Sequence, residues 1–152
     1  MLTRLADRDT QRIRMIRVLV ADGHLSSQNL IALTLNLRGH KVSTAMNGVE
    51  AHSESAREPF DVLVVDADLP GMNAVELTRA IRGREQETGE RLRVVVMLER
   101  IGKDTLDCCL DAGIDYCLQK PINAGDLVAM VEARISGVER AAASIRPAEL
   151  AS

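Results

Sequence analysis

Short apolar runs alternate with longer amphipathic stretches along this chain. Residues 18–21 (Val-Leu-Val-Ala) read as a first buried strand. Residues 26–38 predict a helix in which Leu30, Leu33 and Leu37 make one stripe and Ile31 and Leu35 the row beside it. Ser26 or Ser27 can cap its start, Asp22 is a further candidate for that role, and Gly39 ends it. Residues 41–45 alternate like a half-exposed strand, and 48–57 predict a short helix stopped before Pro59. Residues 61–66 form a second long apolar strand. Residues 73–84 predict a helix with Ala74, Leu77 and Ile81 inward, followed by a charged loop at 85–91. Residues 94–98 are apolar on both faces. A helix over 104–112, with Cys109 inward, ends at Gly113. A short strand over 115–119 and a last helix over 125–137, with Leu127, Val131 and Ile135 inward, complete the pattern.

Strands that are apolar throughout need cover on both faces, which means a parallel sheet sandwiched by helices. In such sheets ligands bind at the C-terminal strand ends, near the reversal in strand order. Asp22, Asp66, Leu98–Glu99 and Lys120 all fall at those ends. The pattern therefore gathers two acids and one amine at a common rim. An aspartate at the edge of a buried strand can accept a phosphoryl group or hold a metal, and a distant lysine can hold the phosphoryl charge. His24 lies beside them; a lone histidine is read as a bystander rather than a ligand.

A chain of 152 residues is one domain by length. Three regions are expected: an N-terminal extension over 1–15, a domain over 16–137, and a helical extension or tail over 138–152. Apolar residues make up 46% of the chain, but Phe60 and Tyr116 are its sole aromatics, so the core must be aliphatic. A net charge of -3 argues neither for nor against a nucleic-acid partner. The arginine excess near the N-terminus (Arg4, Arg8, Arg12, Arg14 and Arg17) reads as a solvated arm. Cys108, Cys109 and Cys117 are odd in number and show no C-x-x-C spacing, which suggests reduced thiols in a cytoplasmic protein. No run approaches the roughly 18 apolar residues of a membrane span. The stretch after residue 137 is too short for a helix-turn-helix, so no DNA-binding domain is expected and output should pass through protein contacts.

The motifs Asp66-Ala67-Asp68-Leu69-Pro70-Gly71-Met72-Asn73, Asp111-Ala112-Gly113-Ile114-Asp115 and Lys120-Pro121-Ile122 resemble the receiver domain of two-component response regulators. Arg38-Gly39-His40-Lys41-Val42 and Asn47-Gly48-Val49-Glu50-Ala51 fit the same family, and the similarity covers roughly residues 16–136. The resemblance implies a flavodoxin-like, doubly wound five-stranded parallel sheet in the order 2-1-3-4-5. It implies Asp66 as phosphoacceptor and Lys120 as partner of the phosphoryl charge, with a cis Lys120–Pro121 bond. It also implies Mg2+ held by Asp22, Asp66 and the backbone carbonyl of Asp68. Its partners would be a histidine kinase or phosphotransfer protein and a downstream protein target, with a homodimer left open.

Four positions depart from the family pattern. Gly23 stands where a directly coordinating carboxylate belongs, so Asp22 would act through water and Mg2+ would be held more weakly. Leu98 replaces a Ser or Thr whose hydroxyl bonds the phosphoryl oxygens. Glu99 replaces a small residue, where it either repels phosphate or supplies an oxygen ligand. Cys117 takes the place of an aromatic switch residue, and Tyr116 points to the opposite face. Ala74 for Gly is milder. The expected function is therefore a stand-alone, non-enzymatic receiver protein of phosphorelay signalling with weakened phosphoswitching. The alternative is a phosphorylation-independent pseudo-receiver, an adaptor binding through the face around 104–119. Asp66-Ala67-Asp68 also resembles the nucleophile motif of haloacid-dehalogenase-like phosphatases. That motif belongs on a first strand and needs a late acidic pair, which this chain lacks.

Overall fold

A computed structural model describes residues 14–133. The elements run β1 (Arg17–Ala21), α1 (Leu25–Leu37), β2 (Lys41–Ala45), α2 (Gly48–Arg57), β3 (Val62–Asp66), α3 (Ala74–Thr88), β4 (Arg93–Leu98), α4 (Lys103–Ala112), β5 (Tyr116–Gln119) and α5 (Ala124–Glu132). All strand pairs are parallel and the order is β2-β1-β3-β4-β5, as the sequence predicts.

The two-residue period of the strands divides the core into two layers. Leu19, Ala21, Leu63, Val65, Val94, Val96, Leu98 and Cys117 face α2, α3 and α4, meeting Ala51, Leu77, Ile81, Leu106 and Cys109. Val18, Val20, Val62, Val64, Val95, Met97, Tyr116 and Leu118 face α1 and α5, meeting Ile31, Leu35, Leu127, Met130 and Val131. Each fully buried Leu, Ile or Val contributes about 1.5–3 kcal/mol of transfer free energy. The inner strands β1, β3 and β4 supply most of these side chains, and β3 is buried along its whole length.

Several boundaries differ from the sequence expectation. Helix α1 starts one residue early, with His24 at its N-cap, so Ser26 and Ser27 lie inside its first turn and cap nothing. Asp22 is not the cap either; its Oδ1 accepts the backbone N–H of His24 at 2.9 Å. Of the two apolar rows of α1, Ile31 and Leu35 turn inward while Leu30, Leu33 and Leu37 are exposed. Helix α3 continues through most of the supposed loop to Thr88. An Arg82–Glu85 ion pair supports the extra turn and Gly89, at φ 77°, closes it. Helix α5 stops at Glu132, where Ala133 is extended. The predicted turn through 137, Ile135 with it, and both chain extensions lie outside the described residues apart from Arg14 and Met15.

Asparagine caps start three helices. Asn47 accepts from Glu50 N, Asn123 from Asp126 N, and Asn73 forms a reciprocal capping box with Glu76. Two ionic clusters hold the edges of the fold. Glu132 receives Arg38 through two hydrogen bonds and lies 2.7 Å from the buried His40 Nε2. His40 Nδ1 accepts the backbone N–H of Ile16, so the proton of the neutral ring sits on Nε2 and is donated to Glu132. At the N-terminal strand ends, Asp115 accepts from Arg82, Arg91 and the backbone of Val94. The Asp111–Asp115 motif thus acts far from the acidic rim, as a clamp between α3, β4 and β5.

Candidate functional site

Three strand ends build the site. The backbone after β1 is tied to β2 by Asp22 N donating to Ala45 O at 3.0 Å. Gln28, buried on the inner row of α1, donates to Asp22 O at 3.1 Å and to Ala45 O at 3.0 Å. That amide therefore fixes where Asp22 sits. Asp22 is fully buried, and its Oδ2 has no hydrogen-bond partner among the described residues. A buried acceptor left unsatisfied costs about 1–3 kcal/mol or more when charged.

Asp66 is the last residue of β3, with its side chain 2% exposed. The loop behind it is held by Ala67 N donating to Met97 O, and by Gly48 N donating to Pro70 O at 2.8 Å. Gly48 is required there, because a Cβ at that position would lie 2.0 Å from the Met72 carbonyl oxygen. Lys120 follows β5, where its N–H donates to Leu98 O at 2.7 Å, and its bond to Pro121 is cis. Its ammonium donates to Asp66 Oδ1 at 2.9 Å. Asp68 N lies 3.4 Å from the same oxygen. Partial burial pulls the Lys120 ammonium down, but the hydrogen bond and charge of Asp66, joined by the charges of Asp22 and Glu99, outweigh it and hold the group above the ordinary lysine value.

His24 is part of the same constellation. Its Nδ1 lies 3.3 Å from Asp22 Oδ1 and 3.6 Å from Asp66 Oδ2, although the ring is 73% exposed. Asp22, His24 and Asp66 offer one ligand atom each within 4.8 Å of one another, the kind of arrangement that can hold a metal ion. The structure thus brings Asp22, His24, Asp66 and Lys120 together, with the Asp68 backbone at the edge.

Of the departing positions, Gly23, Leu98 and Glu99 adjoin residues of this cluster, while Cys117 lies in the core. At Gly23 a Cβ would meet Pro70 Cδ at 3.0 Å and Cγ at 3.2 Å, so a larger residue there must push the proline ring aside. Leu98 is 6% exposed and packs into the core layer facing α4. Glu99 is exposed, and its charge is felt at Lys120. Cys117 lies in the same layer as Leu98; a hydrogen bond with Cys109, and then burial, push its thiol well up, so it stays protonated. Tyr116 belongs to the opposite layer, as strand alternation requires.

Sequence reasoning missed Gln28 and set His24 aside. Gln28 carried a signal, being the one polar residue in the row shared with Ile31 and Leu35, at i, i+3 and i+7. For His24 no pattern was available, since its partners come from two different strand ends.

Residues 18–132 match the response regulator receiver domain, and the chain belongs to that family. The sensory/regulatory protein RpfC of Xanthomonas campestris is 31% identical over 122 residues, which are 80% of this chain and 17% of RpfC. The chain therefore spans less than a fifth of the length of that relative. Chemotaxis response regulator CheY4 of Vibrio cholerae superposes with a TM-score of 0.70 at 26% identity, covering 76% of this chain and 94% of CheY4. The receiver domain of sensor histidine kinase PA1611 from Pseudomonas aeruginosa, solved with magnesium in its active-site cleft, superposes with a TM-score of 0.70 at 24% identity, covering 78% of this chain and 96% of that domain. Among the described residues, no helix is long and apolar enough to cross a membrane.

Proposed function

We propose that Asp66 is the phosphoacceptor of a two-component phosphorelay and that the switch driven by it is weakened. The observation that carries the reading is the 2.9 Å contact between Lys120 Nζ and Asp66 Oδ1, made by residues 54 apart in sequence. In the reaction, an Asp66 carboxylate oxygen attacks the phosphorus of a phosphohistidine on a kinase or phosphotransfer partner. The new O–P bond forms as the N–P bond breaks, and the imidazole leaves with the electron pair and takes up a proton. Lys120 stands where it can stay with the transferred group as a fixed positive charge. Hydrolysis of the acyl phosphate returns the carboxylate.

The residues present fit a divalent cation, because Asp22 and Asp66 are buried carboxylates and Asp22 Oδ2 is unsatisfied. Asp22, Asp66 and the Asp68 carbonyl would hold Mg2+, which neutralises charge on the phosphoryl oxygens when bound. Gly23 adds no ligand to that set.

Weak switching is the reading of Leu98, Glu99 and Cys117. A hydrogen bond to a charged group is worth about 1.5–3 kcal/mol, and Leu98 offers none. Moving a two-state element from 1:99 to 99:1 takes about 5.5 kcal/mol, so the missing donor removes roughly a quarter to a half of that drive. These same residues support the second reading, a pseudo-receiver adaptor that binds through the α4–β5 face without phosphorylation.

The test is incubation with a small phosphodonor and Mg2+, followed by intact mass. A single-phosphate adduct that is lost in Asp66→Asn supports the relay. No adduct, with partner binding unchanged in Asp66→Ala, supports the adaptor.

A further inference from the structure

We propose that His24 completes a mixed nitrogen-and-oxygen metal site with Asp22 and Asp66, selective for a borderline transition-metal dication such as Zn2+ or Co2+ over Mg2+. The proposal rests on the reading of this rim as a cation site and adds which cation it selects.

Four observations support it. First, Nδ1 of His24 lies 3.3 Å from Asp22 Oδ1 and 3.6 Å from Asp66 Oδ2. With metal–ligand bonds of about 2.0–2.1 Å, neighbouring donors in a tetrahedral site are about 3.3–3.4 Å apart. Two edges of such a site are therefore near their final length already. Second, Asp22 is fully buried and its Oδ2 has no partner among the described residues, so the cluster contains an acceptor awaiting a cation. Third, Gly23 has no side chain to offer the site, and a Cβ there would meet Pro70 at 3.0 Å, whereas the next residue, His24, brings a nitrogen donor to the two carboxylates. Fourth, the His24 side chain makes no capping bond at the start of α1 and is 73% exposed, and the polar groups it faces are the two carboxylates.

The chemistry follows from ligand preference. Mg2+ takes oxygen donors in near-octahedral geometry and sheds water reluctantly. Imidazole suits Zn2+, Co2+ and Ni2+, and a set of one nitrogen and two carboxylates fits those ions better than a set of oxygens alone. Water would fill the remaining positions. Lys120 pairs with Asp66 Oδ1 and His24 lies nearest Oδ2, so both contacts to Asp66 coexist.

The test uses the full chain carrying Cys108→Ser, which removes the exposed thiol that could itself take Zn2+. Zn2+ and Mg2+ affinities are measured by competition titration, and Co2+ is added to read the ligand field from its visible spectrum. His24→Ala, Asp22→Asn and His52→Ala are compared with this parent. The His24 ring is largely exposed, so His24→Ala should fold; its melting curve checks that. The expected result is that His24→Ala weakens Zn2+ by about tenfold or more, changes Mg2+ by less than about threefold, and alters the Co2+ spectrum. Asp22→Asn should weaken both ions, and His52→Ala neither. An unchanged Zn2+ to Mg2+ ratio and an unchanged Co2+ spectrum in His24→Ala would overturn the proposal, while loss of Mg2+ in Asp22→Asn would leave the cation-site reading standing. If neither ion binds the parent, both the selectivity and the cation site fall, and the Asp66 adduct remains an independent test of the phosphoacceptor.

Discussion

Replacing Gly48 by alanine is a severe change in this fold, because the space beside its Cα is already filled by Met72. The added Cβ would lie 2.0 Å from the Met72 carbonyl oxygen, 2.4 Å from Met72 Cβ and 2.6 Å from Met72 C. Two of these are backbone atoms, so no rotamer change relieves the clash. The loop must retreat by about 1 Å, which breaks the 2.8 Å hydrogen bond from Gly48 N to Pro70 O. Losing that bond costs about 1 kcal/mol and overpacking costs about 1–3 kcal/mol. The stiffer unfolded chain returns about 0.4–1 kcal/mol. The net expectation is roughly 1–3 kcal/mol of lost stability, or a melting temperature lower by about 6–12 °C at the middle of that range. The same substitution at Gly83 is the control. A Cβ there meets nothing within 4 Å in the middle of α3, so Gly83→Ala should stabilise by about 1 kcal/mol. Denaturant unfolding of both variants decides the matter. If Gly48→Ala unfolds within about 0.5 kcal/mol of the parent, the loop from Asp66 to Asn73 is not held by the start of α2, and the account of how Asp66 is positioned is wrong. Phosphodonor labelling well below the midpoint should also slow in Gly48→Ala and not in Gly83→Ala.

Gly23→Asp is expected to raise Mg2+ affinity at a cost of about 1 kcal/mol in stability, since Pro70 must shift by a few tenths of an ångström; a folded variant with an unchanged Mg2+ titration would show that residue 23 is not the missing ligand. On the proposed reading, Leu98→Thr supplies a hydroxyl to the phosphoryl group, so the stabilisation gained on phosphorylation should increase, by up to about 1.5–3 kcal/mol; an equal gain in both proteins removes Leu98 as the proposed cause of weak switching. Glu132 should make stability pH-dependent. Burial pushes its carboxyl up, but Arg38 and His40 outweigh that and hold it below the usual carboxylate value. A group with a depressed folded value stabilises above its unfolded value, near 4.3, and loses that contribution as pH falls through the folded value. Glu132→Gln should therefore cost about 1–2 kcal/mol at neutral pH, with the gap to the parent closing in acid; a gap that is constant from pH 7 to about pH 3 would refute the assignment.

Periodicity alone specified the five strands, the five helices and the burial of Leu77, Ile81, Leu127 and Val131, because burial on one face leaves a regular trace in the chain. It also placed Asp22, Asp66 and Lys120 at one edge of a parallel sheet, since every strand of such a sheet points the same way. The sequence did not say which of the two rows on α1 faces the sheet. Leu30, Leu33 and Leu37 make as good a stripe as Ile31 and Leu35. In the fold the second row faces the sheet, and Gln28 on that row reaches the carbonyls closing β1 and β2. Nor did it say that His24 meets both carboxylates. That contact depends on β1 and β3 being neighbours with Ala21 level with Val65, a register set by pairing across 44 residues. A side chain whose partners lie on separate strands leaves no local trace, so only the packed sheet could assign it.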